Sequence, residues 1–330
     1  MNKRSFFILT MFLSATLSGG CNSVTYPKEK LEECVVELCK DEYNINIETS
    51  VVGSTLAIYI ELPSLFDINL SLSEEAQDIV QDVLLAASRV CLSTDADIKF
   101  YCIIAQDARI PEIQLIIIKY TDDVKRAFYQ DISRGEYFKR TLIDINENPQ
   151  AKKENAITDV FGKMNLSKEM QDTVLNDFFR SPPTSLEGIG YWNDRFYIKD
   201  ITIEEFLAQQ IASRVKVKFR EINDLRKYTV KMVEGKYVTE DKTRTFLITF
   251  TAEGLLFVLD PAKKLSGERK VFENIFEEAS DVIYGYKFTN FDFLKLADKT
   301  LRKEIAVTKD DIYAFKRRRL GIDSIFAAFN

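Results

Sequence analysis

The sequence contains no histidine, and this absence excludes several of the commonest enzyme sites. Ser-His-Asp and Cys-His nucleophiles need an imidazole base, and histidine is a frequent ligand of catalytic zinc and iron. Phosphate-binding loops, dinucleotide-binding fingerprints and nucleophile elbows are absent as well. Catalysis by carboxylates, lysine or tyrosine stays open, but the sequence predicts neither a metal site nor a cofactor.

Long apolar runs are missing after the N-terminal segment, and a membrane-spanning helix needs about 20 apolar residues. The composition is that of a folded protein, with 330 residues of which 46% are hydrophobic and 29% are charged. The net charge of −6 gives no general electrostatic reason to bind nucleic acid. We therefore expect a folded, acidic protein, long enough for two ordinary domains, without a nucleic-acid partner.

The first 21 residues have the pattern of an export signal. Lys3 and Arg4 form a short positive segment, residues 6–17 form an apolar run, and small residues precede Cys21. This segment resembles the signal peptide and lipobox of bacterial lipoproteins. One detail departs from the family pattern, because Ser18 stands three residues before the cysteine, where that family usually has leucine.

The resemblance implies that residues 1–20 are cleaved and that Cys21 is lipidated, which attaches the protein to a membrane. Removal of Lys3 and Arg4 would lower the net charge from −6 to −8. Asn22 follows the cysteine, where aspartate often retains members of that family at the inner membrane. In an organism with two membranes, the resemblance therefore implies the outer membrane, with the protein facing the periplasm. An ordinary secretory signal with a chance cysteine is the alternative.

The body of the sequence shows one order of elements twice, in residues 28–132 and 203–330. Helical periodicity, capping residues such as Ser73 and Thr202, and apolar alternation, as at Phe246, Ile248 and Phe250, predict helix, two strands, helix, two strands and helix in each module. Seven apolar positions of the long helix recur 192 residues later, from Ile79 matched with Val271 to Cys91 matched with Ile283. Any two amphipathic helices share a period of about 3.6 residues, but this alternative does not explain the common order of all elements. We interpret the body as an ancient duplication.

These elements predict an α+β fold in which each module forms a mostly antiparallel sheet with helices packed on it. Two such modules can pack together as a pseudo-dimer. The expected organisation is a cleaved signal peptide (1–20), a lipidated tether (21–27), a first module (28–132), a mainly helical connector with an aromatic loop (133–202) and a second module (203–330). Within the connector, we expect helices near 152–162 and 167–179.

The connector holds the most site-like cluster of the sequence. The candidate binding residues follow two glycines and are Tyr191, Trp192, Arg195 and Tyr197. Aromatic residues and arginine on such a loop are typical of binding hot spots. They serve equally well to anchor the connector to a module core, and the sequence does not choose between these roles.

The densest basic run is a candidate surface for anionic lipid or an envelope polymer. It consists of Lys316, Arg317, Arg318 and Arg319. This run falls at the end of a predicted helix, where cations also compensate the helix dipole.

Paired acids follow threonine residues, in Asp122–Asp123 after Thr121 and in Asp310–Asp311 after Thr308. We expect each threonine to cap a helix. For the acids we prefer a role in the first turn of that helix, where the dipole favours negative charge, over metal or acid–base chemistry.

Four cysteines remain besides the one in the lipobox, namely Cys34, Cys39, Cys91 and Cys102. Their even number in an oxidising compartment allows disulfides between the first two or between the last two. The duplication instead aligns three of them with core positions, for instance Cys102 with Leu294. Cysteine serves as a small hydrophobic residue in such places, and we expect buried thiols.

The sequence leaves three functions open. A non-enzymatic envelope lipoprotein that binds a protein partner, as a scaffold or assembly factor, agrees best with the anchor, the duplication and the missing catalytic equipment. A periplasmic module that binds a small ligand or glycan through the aromatic connector is the second hypothesis. A histidine-free hydrolase built on carboxylates is the third, and it requires an apolar cleft with two facing acids.

Overall fold

The structure is a computed structural model that describes residues 25–69, 71–164, 170 and 182–327. The signal segment and Cys21 lie outside these residues, as does the helix expected near 167–179 except for residue 170. The described chain contains ten α-helices and eleven strands in three sheets. The predicted α+β class is confirmed.

The first module follows the predicted order of elements. It consists of α1 (Leu31–Tyr43), β1 (Glu48–Val52), β2 (Thr55–Leu62), α2 (Glu74–Ser93), β3 (Phe100–Asp107), β4 (Ile110–Tyr120) and α3 (Thr121–Phe128). Ser73 caps α2, because its side chain accepts a hydrogen bond from the backbone N–H of Ala76. At α3 the expected cap is wrong. Thr121 is the first helical residue and its hydroxyl makes no capping bond, since the chain enters α3 directly from β4.

The connector contains strands as well as helices. Its described elements are α4 (Arg134–Lys139), β5 (Leu142–Glu147), α5 (Pro149–Met164), β6 (Gly190–Trp192) and β7 (Arg195–Tyr197). β5 pairs with β4 as the edge strand of the first sheet. The first structural module therefore extends beyond residue 132, and the described part of the connector contains three strands that the sequence does not predict.

The second module repeats the arrangement of the first. It comprises α6 (Ile203–Glu221), α7 (Asn223–Arg226), β8 (Val230–Glu240), β9 (Thr243–Ala252), α8 (Pro261–Gly285), β10 (Phe293–Asp298), β11 (Lys303–Thr308), α9 (Lys309–Lys316) and α10 (Ile322–Ile325). The capping threonines are Thr202, which accepts from the N–H of Glu205, and Thr308, which accepts from the N–H of Asp311. Local side-chain chemistry thus sets both helix starts.

The two main sheets share one strand arrangement. The first has the order β1-β2-β3-β4-β5 and the second the order β11-β10-β9-β8. In each, two antiparallel hairpins are joined by a central parallel pair, β2–β3 and β9–β10. The common arrangement agrees with two similar modules, while their descent from one ancestor stays a prediction.

The first sheet is covered on both faces. Leu56, Ile58 and Tyr101 pack against α1 and α2, whereas Ala57 and Cys102 on the opposite face pack in the core that α6 shares with the second module. All residues of β3 are buried as a result. The two modules therefore share one continuous core.

The register of the first sheet corrects one match within the duplication. Leu294 pairs with Phe246 in the core beneath α8, just as Tyr101 pairs with Leu56 beneath the first module's own helices. Cys102 lies one residue further and points to the opposite face. Its alignment with Leu294 is wrong by one residue, although its predicted burial is correct.

The second sheet buries one face only. Phe246, Ile248 and Phe250 are buried, while Leu247 and Thr249 between them stay half exposed. At Gly235 strand β8 approaches α6 so closely that an added Cβ would lie 1.9 Å from the carbonyl oxygen of Ala208. Only glycine allows this contact.

Candidate functional site

A groove runs between the edge strand β5 and the helix α6. Its narrow end is a cavity of about 240 Å³ whose walls include Leu142 and Asp144 of β5, Ser213 and Val217 of α6, and Leu186 of the connector. The cavity has aliphatic walls and a polar rim. We call the whole depression the β5–α6 groove.

The periodicities of the two elements explain why these side chains face the groove. On β5, Leu142, Asp144 and Asn146 point to the α6 side, and Ile143 and Ile145 point to the other side. On α6, one stripe of residues is buried in the shared core. A second stripe borders the groove and consists of Gln209, Ser213, Lys216, Val217 and Arg220.

The groove widens towards α4 into a second cavity of about 730 Å³, which shares Ser213, Val217 and Arg220 with the first. Apolar side chains around the groove are unusually exposed. Phe138 is 68% exposed, Ile222 45% and Val217 37%. An apolar surface with a polar rim is typical of a protein interaction site.

Charges of both signs surround the groove. Arg214 pairs with Glu136 at 3.2 Å, and Lys218 pairs with Glu278 at 3.2 Å. Within the described part of the chain, no ion pair is formed by Lys139, Lys216, Arg220, Asp144 or Glu187. The groove thus keeps free cations on α6 and a free carboxylate on β5.

The aromatic cluster predicted from the sequence forms the β6–β7 hairpin on the first sheet. The rings of Tyr191 and Tyr59 are stacked with their centroids 3.7 Å apart, and the Tyr191 hydroxyl donates to Glu48 at 2.8 Å. Burial is the main cause that raises the pKa of Tyr191 above its ordinary value. The backbone carbonyl of Tyr191 accepts hydrogen bonds from the side-chain amides of Gln114 and Asn148.

These contacts favour the anchoring role of the hairpin over a binding role. Tyr191 and Tyr197 are buried, so neither ring is accessible to a ligand. Trp192 is half-buried and its indole N–H donates to Glu154 at 2.5 Å, while Arg195 is exposed. Ligand binding by Trp192 and Arg195 stays a prediction.

The basic run is divided between α9 and the turn that follows it. Lys316 ends α9 and pairs with Asp281. Arg317, Arg318 and Arg319 are exposed, and the Arg317 guanidinium lies 5.7 Å from the ring centroid of Tyr313. The helix dipole explains a cation at Lys316, in the last turn of α9. The three arginines after it form no ion pair with any described residue.

The four cysteines of the body are free thiols, as expected. Burial is the main cause that raises the pKa of Cys39 to about 11, and it raises those of Cys91 and Cys102 to about 12. Cys34 is half-buried.

Alkylation should distinguish these thiols. In the native protein at about pH 8, iodoacetamide should modify Cys34 and leave Cys91 and Cys102 unmodified, because only the thiolate reacts and burial suppresses it. Mass spectrometry before and after unfolding in denaturant measures the difference. Modification of Cys91 or Cys102 in the folded protein would contradict the buried position of these side chains.

Two features are absent among the described residues. No group of three or more Cys, Asp or Glu residues among them is arranged to hold a metal ion. None of the described helices is long and apolar enough to cross a membrane.

The sequence matches no family model, no curated protein and no solved structure. The β5–α6 groove is therefore identified from its geometry and chemistry alone.

Proposed function

We propose that the protein is a membrane-anchored envelope lipoprotein that binds a protein partner as a scaffold or assembly factor, with the β5–α6 groove as its partner surface. The observation that carries this proposal is the exposed apolar border of the groove. Phe138, Ile222 and Val217 are 68%, 45% and 37% exposed, beside cavities whose walls carry charges of both signs. Such a surface exposes apolar area to water, which is unfavourable in free energy until a partner covers it.

The start of the folded chain suits an anchor at Cys21. Tyr26 forms a parallel bridge with Thr94, and the backbone N–H of Lys28 donates to the Asp95 carboxylate at 2.8 Å. Tyr26, inside the expected tether of residues 21–27, is therefore part of the fold. Five residue steps separate Cys21 from Tyr26, which limits their distance to about 17 Å. A lipid on Cys21 would hold this end of the first module close to the membrane.

The anchor has a direct test. Cells fed an alkyne-tagged fatty acid should label the protein, and the label should disappear in Cys21→Ser. The wild-type protein should also separate into the detergent-rich phase of a cell extract, and the variant into the aqueous phase. Equal labelling of the two proteins would disprove lipidation at Cys21.

The partner surface is tested in living cells with a photo-crosslinking amino acid at Val217, in the groove. Leu85, which is 52% exposed on α2, serves as a control position of similar exposure outside the groove. We expect one envelope protein to crosslink through position 217 and not through position 85, as identified by mass spectrometry. Identical products from both positions, or none from position 217, would remove the support for a partner in the groove.

A further inference from the structure

The outer edge of β5 has free backbone groups. The first sheet ends at β5, and no described strand pairs with its other side. The backbone N–H of Asn148 donates to the carbonyl of Glu112 at 2.5 Å, next to the last pair of the β4–β5 ladder. Hydrogen-bonded and non-bonded pairs alternate along an antiparallel ladder. Asp144 and Asn146 therefore bond to β4, while the N–H and C=O groups of Ile143 and Ile145 point away from the sheet.

The pairing of β4 with β3 gives the same result independently. The backbone N–H of Thr121 donates to the carbonyl of Lys99 at 2.8 Å, next to the last pair of that ladder. Every second residue of β4 before Thr121 therefore bonds to β3, and Ile117 is one of these residues. Its neighbour Ile116 bonds to β5 instead. Because Ile116 is opposite Asp144, the free groups again belong to Ile143 and Ile145.

The groove lies along this same free edge. The side chains of a strand added to β5 would alternate between the α6 side, where the cavity is, and the side that carries Ile143 and Ile145. The narrow cavity of about 240 Å³ lies beside this edge and has aliphatic walls. It is suited to a single apolar side chain against Leu142, Leu186 and Val217.

The charge on β5 determines which strand fits. Asp144 lies two residues from Leu142 on the same face, and its exposed carboxylate has no ion pair within the described part of the chain. A cation directly opposite is favourable, and a like charge is unfavourable. Residues 142–147 contain two acids and no base, so the β5 strands of two copies would repel each other.

We propose that the β5–α6 groove binds an extended segment of a second protein as a sixth strand on β5, with an apolar side chain in the cavity and a lysine or arginine two residues away facing Asp144. This inference rests on the proposed function and adds the form in which the partner binds. Main-chain hydrogen bonds supply the affinity, and the two alternate side chains supply the specificity.

A synthetic peptide tests this proposal without knowledge of the partner. The probe is acetyl-Thr-Val-Thr-Leu-Thr-Lys-Thr-Val-amide with a fluorescent label, measured by anisotropy against the full-length lipoprotein in detergent. We expect saturable binding and protection of the Ile143 and Ile145 amides from hydrogen exchange. N-methylation of one alternate set of peptide amides should weaken binding by about tenfold or more, and methylation of the other set should not. Absence of binding, or equal binding of the two methylated peptides, would overturn strand addition.

A matched pair of variants tests the same edge from the protein side. Ile145→Pro removes an outward N–H and spares the ladder with β4, and Ile145→Val keeps that N–H. The first should lose peptide binding at an unchanged melting temperature, and the second should retain it. Peptide binding that survives in Ile145→Pro would show that the proposal is wrong. If Ile145→Pro folds poorly, Ile143→Pro takes its place in the same test.

The outcomes separate this proposal from the proposed function. One outcome is that the crosslink through position 217 persists in Ile145→Pro while the wild-type protein binds no peptide. That result would support the partner surface and exclude strand addition. If no crosslink forms through position 217 in a protein that is otherwise unchanged, the proposed function is contradicted. A dimer in sedimentation that dissociates in Ile145→Pro would show that a second copy occupies the edge, which would overturn the occupant proposed here.

Discussion

Replacement of Asp123 by alanine should lower the free energy of unfolding by about 3–5 kcal/mol. The side chains of Asp123 and Arg140 are each only 4% exposed, and the guanidinium donates to the carboxylate at 2.7 Å. Without the carboxylate, a buried cation loses a direct counter-charge in an environment that solvates it poorly. Denaturation in urea, followed by circular dichroism, measures the change.

The large effect follows from the position of this pair between the modules. Arg140 also donates to Glu136 at 2.7 Å and to the carbonyl of Gly285 in α8 at 3.2 Å. The Tyr286 hydroxyl donates to Asp123 from the same side. One acid at the start of α3 thus holds the residue that follows α4 and the residue that follows α8, so its loss weakens the junction of the two modules.

The neighbouring acid is a matched control for this prediction. Asp122 is exposed and pairs with Lys125 across one helical turn, so Asp122→Ala should cost less than about 1 kcal/mol. Combining Asp123→Leu with Arg140→Met should recover much of the stability, because no unpaired charge is then buried. Equal effects of Asp122→Ala and Asp123→Ala would disprove the buried network.

Replacement of Phe206 by alanine should also cost about 3–5 kcal/mol. Phe206 lies in the first turns of α6 and is fully buried. Its ring centroid lies 5.2 Å from that of Phe100 in the first sheet and 6.3 Å from that of Tyr286, after α8. The substitution therefore leaves a cavity at the centre of the shared core.

The shape of the unfolding curve carries a second expectation. Because one core joins both modules, Phe206→Ala should shift a single cooperative transition, seen alike by tryptophan fluorescence and far-ultraviolet circular dichroism. Phe138→Ala is the control, since Phe138 is 68% exposed and contributes little to the core. Two separate transitions, of which the substitution moves only one, would show that the modules unfold independently.

Local signals in the sequence were sufficient for most of the fold. Ser73, Thr202 and Thr308 start helices where their capping chemistry predicts them. The apolar alternation of β9 predicts its buried face, and the matched helices α2 and α8 occupy equivalent places in two similar sheets. Each of these features depends on residues close together in the chain.

The candidate site depends on distant pairings, and the sequence did not predict it. The segment Leu142–Glu147 alternates weakly and carries two acids, so the sequence pattern places it in the connector and not in the first sheet. Its pairing with β4 creates the edge, and the packing of α6 some 60 residues later in the chain creates the groove. Tyr191 stacks on a residue 132 positions before it, which no local pattern reveals. Local patterns therefore do not decide between the anchoring and the binding role of the aromatic cluster, and the buried contacts of Tyr191 favour anchoring.

The two sheets impose opposite demands on equivalent strand positions. In the first sheet Cys102 and Ile104 lie under α6 and must remain apolar, whereas in the second sheet Lys295 and Ala297 on the corresponding face meet solvent. If both modules began as one gene segment, selection has since driven half of their strand residues apart and preserved only those beneath the helices. The similarity that remains from a shared ancestor is then confined to a helix and one strand face. Comparisons of whole sequences would stop detecting it while the two folds are still alike.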